Sequence, residues 1–530
     1  MAPLKTVATL FPERDYLILR GARSLHILVF NIPQNPIFVS YLWKTKVMSR
    51  LTRAFRRFPK TFWAANTMEL FERWAWYGMF MVLALYLTGS RDTGALGFTQ
   101  AQKGMLMGTV VAILYFLPVL TGALADRIGY KKILVVAYVI LASGYFLMGR
   151  VTSYSAMFFV FLYVAVGAAL FKPVISASVS KTTDDSNSSI GFGIFYMMVN
   201  IGAFIGPIFA GKFREISWNY VFIMSAVIIS LNFIVLLFFF KEPQREASDE
   251  PLGKSMLSAL KNIVITLRDW RFLLFLIIII GFWSMYNQLF YTLPVFIDQW
   301  VDTTVLYDKI ASFWPGLASV IPGASEGRVN PEMITNIDAF YIIIFQIMVS
   351  TFVMRFKHLN AMIGGFFVSA IGIGLMFAFN NVFFLFPAIL VFGLGEMASS
   401  PKITEYIGKI APADKVALYM GCSFLPMAGG NFFAGILSGS VYGSMSDKTN
   451  LLVNELAQKG IDHPPLSDSF TQNDLFSLAG EKLSMTQSQL TSFLWEQAHP
   501  EKIWMVFAGI GMATVIAMVL YDRLVISKKN

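Results

Sequence analysis

Apolar runs long enough to cross a bilayer, about 20 residues as a helix, recur from residue 62 to near the C-terminus. Twelve can be placed, at about 62–88, 99–125, 131–149, 153–180, 190–213, 217–240, 272–298, 335–357, 359–379, 382–410, 414–442 and 501–523. We number them spans 1 to 12. The pattern predicts an all-α membrane protein of two six-helix bundles around a central cavity. Residues 62–240 would form the first bundle and 272–526 the second. A charged cytoplasmic linker, 241–271, joins them and contains an amphipathic helix from Lys254 to Arg268. Residues 443–500 read as a helical extracytoplasmic insert, with 484–497 free of proline and helix-favouring.

Composition sharpens this picture. The chain has 530 residues, 56% hydrophobic and only 14% charged, against roughly 25% charged in soluble domains. A soluble multidomain protein is excluded. The net charge of +10 does not point to nucleic acid, because the basic residues gather in loops on one side: Arg127, Lys131 and Lys132, then Lys241 and Arg268, then Arg355 and Lys357, then Lys409, Lys415 and Arg523. Basic loops stay in the cytoplasm, so both termini are expected there, in an inner (cytoplasmic) membrane. The single cysteine, Cys422, permits no intrachain disulfide and no cysteine-based metal site.

Residues 1–61 form a cytoplasmic extension. Its apolar stretch 26–43 is interrupted by Pro33 and Pro36 and makes neither a signal peptide nor a span. Met48 precedes Arg50, Arg53, Arg56, Arg57 and Lys60, so translation is expected to begin at Met48.

Ionisable groups inside apolar runs carry the chemistry. Each costs roughly 2.5–3.5 kcal/mol on insertion scales, so those present should face a cavity and have partners. Span 1 contains Glu69, Glu72 and Arg73 on one helical face. Two carboxylates sharing one guanidinium cannot both be ionised cheaply, which provides a place for a proton to rest. Span 4 contains Lys172 before Pro173, and span 10 contains Glu396. An ion pair between Lys172 and Glu396 across the two halves is the economical expectation. Spans 5 and 11 share a glycine-rich pattern six spans apart, a weak internal repeat. After span 2 comes Gly122-Ala-Leu-Ala-Asp126-Arg127-Ile-Gly129-Tyr-Lys-Lys. Its glycines permit close backbone approach, and Asp126 can cap or pair with a neighbouring helix.

That loop resembles the signature of the major facilitator superfamily. Glu69-Leu-Phe-Glu72-Arg73-Trp-Ala-Trp-Tyr77-Gly78 resembles the first-helix motif of its proton-dependent oligopeptide transporters. Phe195-Tyr196-Met-Met-Val-Asn200-Ile-Gly202 resembles their fifth-helix motif, and Gly395-Glu396 with Ser400, Pro401 and Glu405 their tenth. The resemblance implies import of di- or tripeptides, or related small solutes, by alternating access with protons. Glu69, Glu72, Arg73 and Lys172 would couple the proton. Tyr77, Lys172, Asn200, Trp283, Asn287 and Glu396 would bind cargo, Glu396 taking its amino group. Gly122, Asp126, Arg127 and Gly129 would form the conformational loop. The partners implied are the cargo, protons and the lipid bilayer, with no cofactor beyond the proton gradient, no nucleic acid, and a monomeric state.

Two positions depart from the family. Phe80 stands where an arginine is usual, and Asn287 where a glutamate is usual. Those two charges can pair in the family, and losing both avoids stranding one. The loss removes a partner for a cargo carboxylate. The aromatic neighbourhood of Trp74, Trp76, Tyr77, Phe80, Trp283, Tyr286 and Tyr291 favours bulky or partly apolar cargo. An amino-acid conjugate or another small polar solute is therefore the alternative to a peptide. A receptor on a transporter scaffold is a further reading, weakened by the absence of a signalling region in the sequence. A membrane enzyme ranks last, because no nucleophile elbow or phosphate loop is present.

Overall fold

A computed structural model describes residues 8–9, 16–19, 28–31, 58–184, 187–243, 252–376, 381–412 and 415–526. The chain divides into two units, Met1–Pro59 and Lys60–Asn530. In the first, three short strands, Ala8–Thr9, Tyr16–Leu19 and Leu28–Asn31, pair antiparallel in chain order. Met48 and the basic stretch after it, up to Arg57, lie outside the described residues.

The second unit is helical, and the chain is a multi-pass membrane protein. Among the described residues, eleven helices are long and apolar enough to span a bilayer. Span 1, Lys60–Thr88, is 29 residues long and differs from them in carrying Glu69, Glu72 and Arg73. Polar residues set where helices begin. Thr99 and Gln102 form a reciprocal capping box at the start of span 2. Ser153 caps span 4, Asp269 caps span 7 through the Arg271 and Phe272 amides, and Asn381 caps span 10. Each satisfies backbone donors that a helix start leaves without partners.

Proline shapes the middle of several spans. Span 2 is divided into Gln100–Phe116 and Pro118–Ile128. Span 7 is divided into Trp270–Tyr286, Gln288–Tyr291 and Leu293–Trp300, the last opening with Pro294. Broken helices are tolerated at membrane depth where they are buried in protein or border a cavity. Span 4, Tyr154–Lys181, keeps Pro173 inside a continuous helix. Span 8 begins earlier than its hydropathy suggests, with a first turn Pro331–Thr335 before Ile337–Val353. Two helices, Thr304–Phe313 and Pro315–Ala318, occupy a stretch before it that shows no apolar run.

The linker helix runs Leu252–Leu267. The insert folds into Lys448–Gln458, Gln472–Leu483 and Gln487–Ala498 around buried Leu452, Leu456, Leu475, Leu490 and Leu494. Although it belongs to the second half, it reaches the loop after span 1: Arg91 pairs with Asp468, and the Asn473 side-chain amide donates to Asp92 at 2.8 Å.

On the insert side the halves close on each other. Spans 2 and 11 approach through Gly104, Gly108, Gly435 and Gly439. The buried ammonium of Lys103 donates to the Tyr291 carbonyl at 3.0 Å, at the break in span 7. Gln100 donates to Asp447 at 2.8 Å. Arg214 on span 5 pairs with buried Glu332 at 3.1 Å, and the Asn336 amide donates to the Phe204 carbonyl at 2.8 Å. On the other side, linker-helix residues Asn262 and Ile263 border the central cavity.

Candidate functional site

Span 1 brings its three charges together as their spacing demands. Arg73 Nε lies 3.4 Å from Glu69 Oε1, and the same guanidinium is hydrogen-bonded to Glu72. All three are buried, and Glu72 Oε1 has no hydrogen-bond partner among the described residues. Arg73 also stands over the Tyr77 ring, 5.8 Å from its centroid. One turn holds two carboxylates against one cation, in surroundings where an unneutralised charge is costly.

The cluster borders a cavity of about 700 Å³ between the halves, and Lys172 is on the same wall. The Lys172 ammonium sits 5.0 Å from the centre of the Tyr115 ring. A second chamber of about 240 Å³ shares Tyr77, Tyr115, Tyr196, Val199 and Met427 with the first and extends it toward the second half. Asn200, Trp283, Asn287 and Glu396 line this second chamber. The Asn200 and Asn287 amides donate to the carbonyls of Tyr196 and Trp283, at 2.8 and 2.7 Å, one turn back on their own helices. Their side-chain oxygens remain for other donors.

Phe80 takes the space that a charge would have filled. It stacks on Trp76 with centroids 5.3 Å apart and meets Tyr291 edge-on at 5.9 Å. Phe80 and Asn287 border the same chamber.

The ion pair expected between Lys172 and Glu396 does not form in this conformation. Lys172 borders the first cavity with Glu69 and Arg73 and sits over the Tyr115 ring, whereas Glu396 lies in the second chamber, its Oε2 lacking a hydrogen-bond partner among the described residues.

Asp338 is a further functional candidate, which the hydropathy pattern does not mark. Asp338 on span 8 is 4% exposed, lines the second chamber beside Glu396, and has no partner for Oδ1 among the described residues. It sits close to the expected start of span 8, where an acid reads as an interfacial residue. The earlier helix start at Pro331 carries it inside. Nor does the pattern mark Lys103, Arg214 and Glu332, since each stands near the end of an apolar run.

In the loop after span 2, Gly129 has φ +110°, a backbone conformation that favours glycine. It turns the chain directly into span 3, where the Tyr130 amide donates to Glu242 at 2.8 Å. Arg127 is exposed, and Gly122 has, among the described residues, only Pro173 within 4 Å of where a side chain would start. The Asp126 side chain lies outside the described residues.

The general model of the Major Facilitator Superfamily matches residues 67–304. A protein named Dipeptide and tripeptide permease A, from Pectobacterium carotovorum, is 26% identical over 330 residues, 59% of each chain. The chain thus matches less than two thirds of that relative's length. A protein named Na(+), Li(+), K(+)/H(+) antiporter, from Planococcus maritimus, is 25% identical over 69% of this chain and 86% of its own. A solved POT family transporter in complex with a thioalcohol-conjugated peptide superposes with TM-score 0.63 at 17% identity, covering 90% of this chain and 99% of its own. That likeness establishes the fold, and the sequence motifs and curated relatives narrow the branch. Together these matches support a divergent member of the oligopeptide-transporter (POT) family within the major facilitator superfamily.

Proposed function

We propose that this protein is a proton-coupled symporter that brings small peptides or peptide-like solutes into the cell by alternating access. The observation that carries the reading is the Glu69–Arg73–Glu72 cluster, buried on the wall of a cavity that also holds Lys172 and opens into the Glu396 chamber. A proton arriving at the cluster loosens the hold of one carboxylate on Arg73. The freed guanidinium and Lys172 can then attract the carboxylate end of cargo, while Glu396 and the oxygens of Asn200 and Asn287 receive its amino end. Cargo spanning both ends draws the halves together, and this links proton entry to the conformational change. Tyr77, common to both chambers, is placed to touch cargo between the two ends, and Trp283 offers a flat wall to its side chains. The name of the Pectobacterium relative supports peptides as the cargo class.

In this reading the protein acts as a monomeric carrier in the cytoplasmic membrane, with both termini inside. It is not an enzyme and needs no cofactor beyond the proton gradient. The electrical part of that gradient supplies about 2.3 kcal/mol per charge per 100 mV. The conformation is closed on the insert side, and the cavity is bordered at its other end by the linker helix, which in this reading is the cytoplasmic end.

Uptake by proteoliposomes under an imposed pH gradient tests the reading. Alanyl-alanine should accumulate above its external concentration, and Glu72→Gln and Lys172→Ala should each abolish accumulation while leaving counterflow exchange measurable. Undiminished accumulation by both variants removes the coupling proposal. The extensive match to the Planococcus relative favours a second reading, exchange of a cation for protons. In that case a sodium gradient alone would move protons across the same vesicles without any peptide.

A further inference from the structure

Asp338 changes the charge balance of the cargo cavity. Six ionisable groups of opposing sign belong to its walls or bond directly to them: the carboxylates of Glu69, Glu72, Asp338 and Glu396, the Arg73 guanidinium and the Lys172 ammonium. The two ends are unequal. Near span 1, two carboxylates share Arg73, one proton brings that set to neutrality, and Lys172 is left to meet an anionic group. In the second chamber there are two carboxylates, and among the described residues no lysine, arginine or histidine lines it.

Geometry makes the second pair a local unit. A side chain begun at Gly393 would lie 2.8 Å from Asp338 Oδ1, so Asp338 packs directly onto span 10. Glu396 is three residues further on, one turn along the same helix face. Asp338 Oδ1 and Glu396 Oε2 both lack hydrogen-bond partners among the described residues, and Asp338 is almost wholly buried. Around them stand the hydroxyl-bearing rings of Tyr77, Tyr196 and Tyr286 and the amides of Asn200, Asn287 and Asn431. This is a chamber of oxygens and aromatic faces, suited to an ammonium.

A zwitterionic dipeptide offers one carboxylate and one ammonium. Its carboxylate satisfies Lys172. Its ammonium satisfies one of the two chamber carboxylates and leaves the other to be neutralised by a proton, whereas a second cationic group on the cargo would meet it directly. Resting on the symport reading, we propose that Asp338 is a specificity-determining cargo residue, and that with Glu396 it selects cargo carrying a second positive charge near its amino end, as in a peptide with an N-terminal basic residue. Neutral and acidic peptides are then the weaker ligands.

Calorimetric titration of the purified full-length protein tests this, with lysyl-alanine, alanyl-alanine, alanyl-glutamate and butane-1,4-diamine as probes. Lysyl-alanine should bind about tenfold more tightly than alanyl-alanine at the same pH and ionic strength. Asp338→Asn should bring that ratio to within about twofold, and Asp338→Glu should largely preserve it. Equal affinities for the dipeptides in the unmodified protein overturn the inference and leave peptide transport standing. So does a preference that survives Asp338→Asn. Binding of the diamine alone, dependent on Asp338, supports the charge selection and removes the peptide reading. Failure to bind any probe overturns both. Equal affinities measured on the unmodified protein overturn the inference even if Asp338→Asn does not fold, and Asp338→Glu then serves as the variant that alters the position of the charge.

Discussion

Gly108 on span 2 and Gly435 on span 11 touch backbone to backbone across the two halves: a side chain begun at Gly108 would lie 2.8 Å from the Gly435 Cα, and one begun at Gly435 would lie 2.7 Å from the Gly108 Cα. Small residues allow this approach in membranes, where close van der Waals packing drives helix association. Because the two helices belong to different bundles, the contact exists only while the insert side is shut.

Gly108→Leu should therefore disfavour the shut state without unfolding either bundle. Overpacking costs about 1–3 kcal/mol, equivalent to a roughly 5- to 150-fold shift in a two-state ratio. Distances between spin labels on the insert-side ends of spans 2 and 11 should lengthen, and uptake should fall by a similar factor. Unchanged distances would show that the contact has slack to spare.

Arg214 and Glu332 form a second tie on that side, 3.1 Å apart with Glu332 fully buried. Removing one partner of a buried pair leaves a stranded charge, at a cost of about 3–5 kcal/mol. Arg214→Ala should lower the unfolding temperature in detergent, whereas Arg214→Met with Glu332→Gln should recover most of the loss. If the single variant melts like the unmodified protein, water already compensates Glu332.

Phe80 and Asn287 offer a test by addition. Phe80→Arg places a cation against Trp76 and Tyr291 in a chamber already short of space. Alone it should destabilise the fold or draw Asn287 out of its hydrogen bond to Trp283. Combined with Asn287→Glu, it should regain stability and reduce any preference for basic cargo. A double variant no more stable than Phe80→Arg would mean that the two positions do not face each other closely enough to pair.

Asp92 sets the acid behaviour of the insert's docking. Although burial works the other way, hydrogen bonds from Ser90 and Asn473 hold its carboxyl below the usual aspartate range. A carboxyl held low in the folded state stabilises it above the unfolded value, and that contribution is lost as pH falls through the folded value. Docking should therefore be constant near neutrality and weaken below about pH 4. The effect will be small, since the group is mostly exposed. Hydrogen exchange at residues 472–476 should rise at low pH in the native protein and already be high at neutral pH in Asp92→Ala.

The helices were legible because hydropathy dictates them, and span 1 stood out because three charges in one apolar run have few innocent explanations. Pairing was less legible. Lys172 and Glu396 are each conspicuous, yet whether they meet depends on how far apart the halves lie, which no local pattern encodes. Asp338 was hidden by an error of one turn in where span 8 begins. Arg214, Glu332 and Lys103 sit near helix ends, where charge is ordinary, and only tertiary packing turns them inward. The strands before Pro59 carry no alternation strong enough to announce them.

The break in span 7 has a mechanical meaning. Lys103 reaches across from the other bundle and donates to the Tyr291 carbonyl beside that break. Opening the insert side would withdraw the lysine from that carbonyl. Bending at the break and release of the lysine are thus tied to the same carbonyl, so a change in one bears on the other.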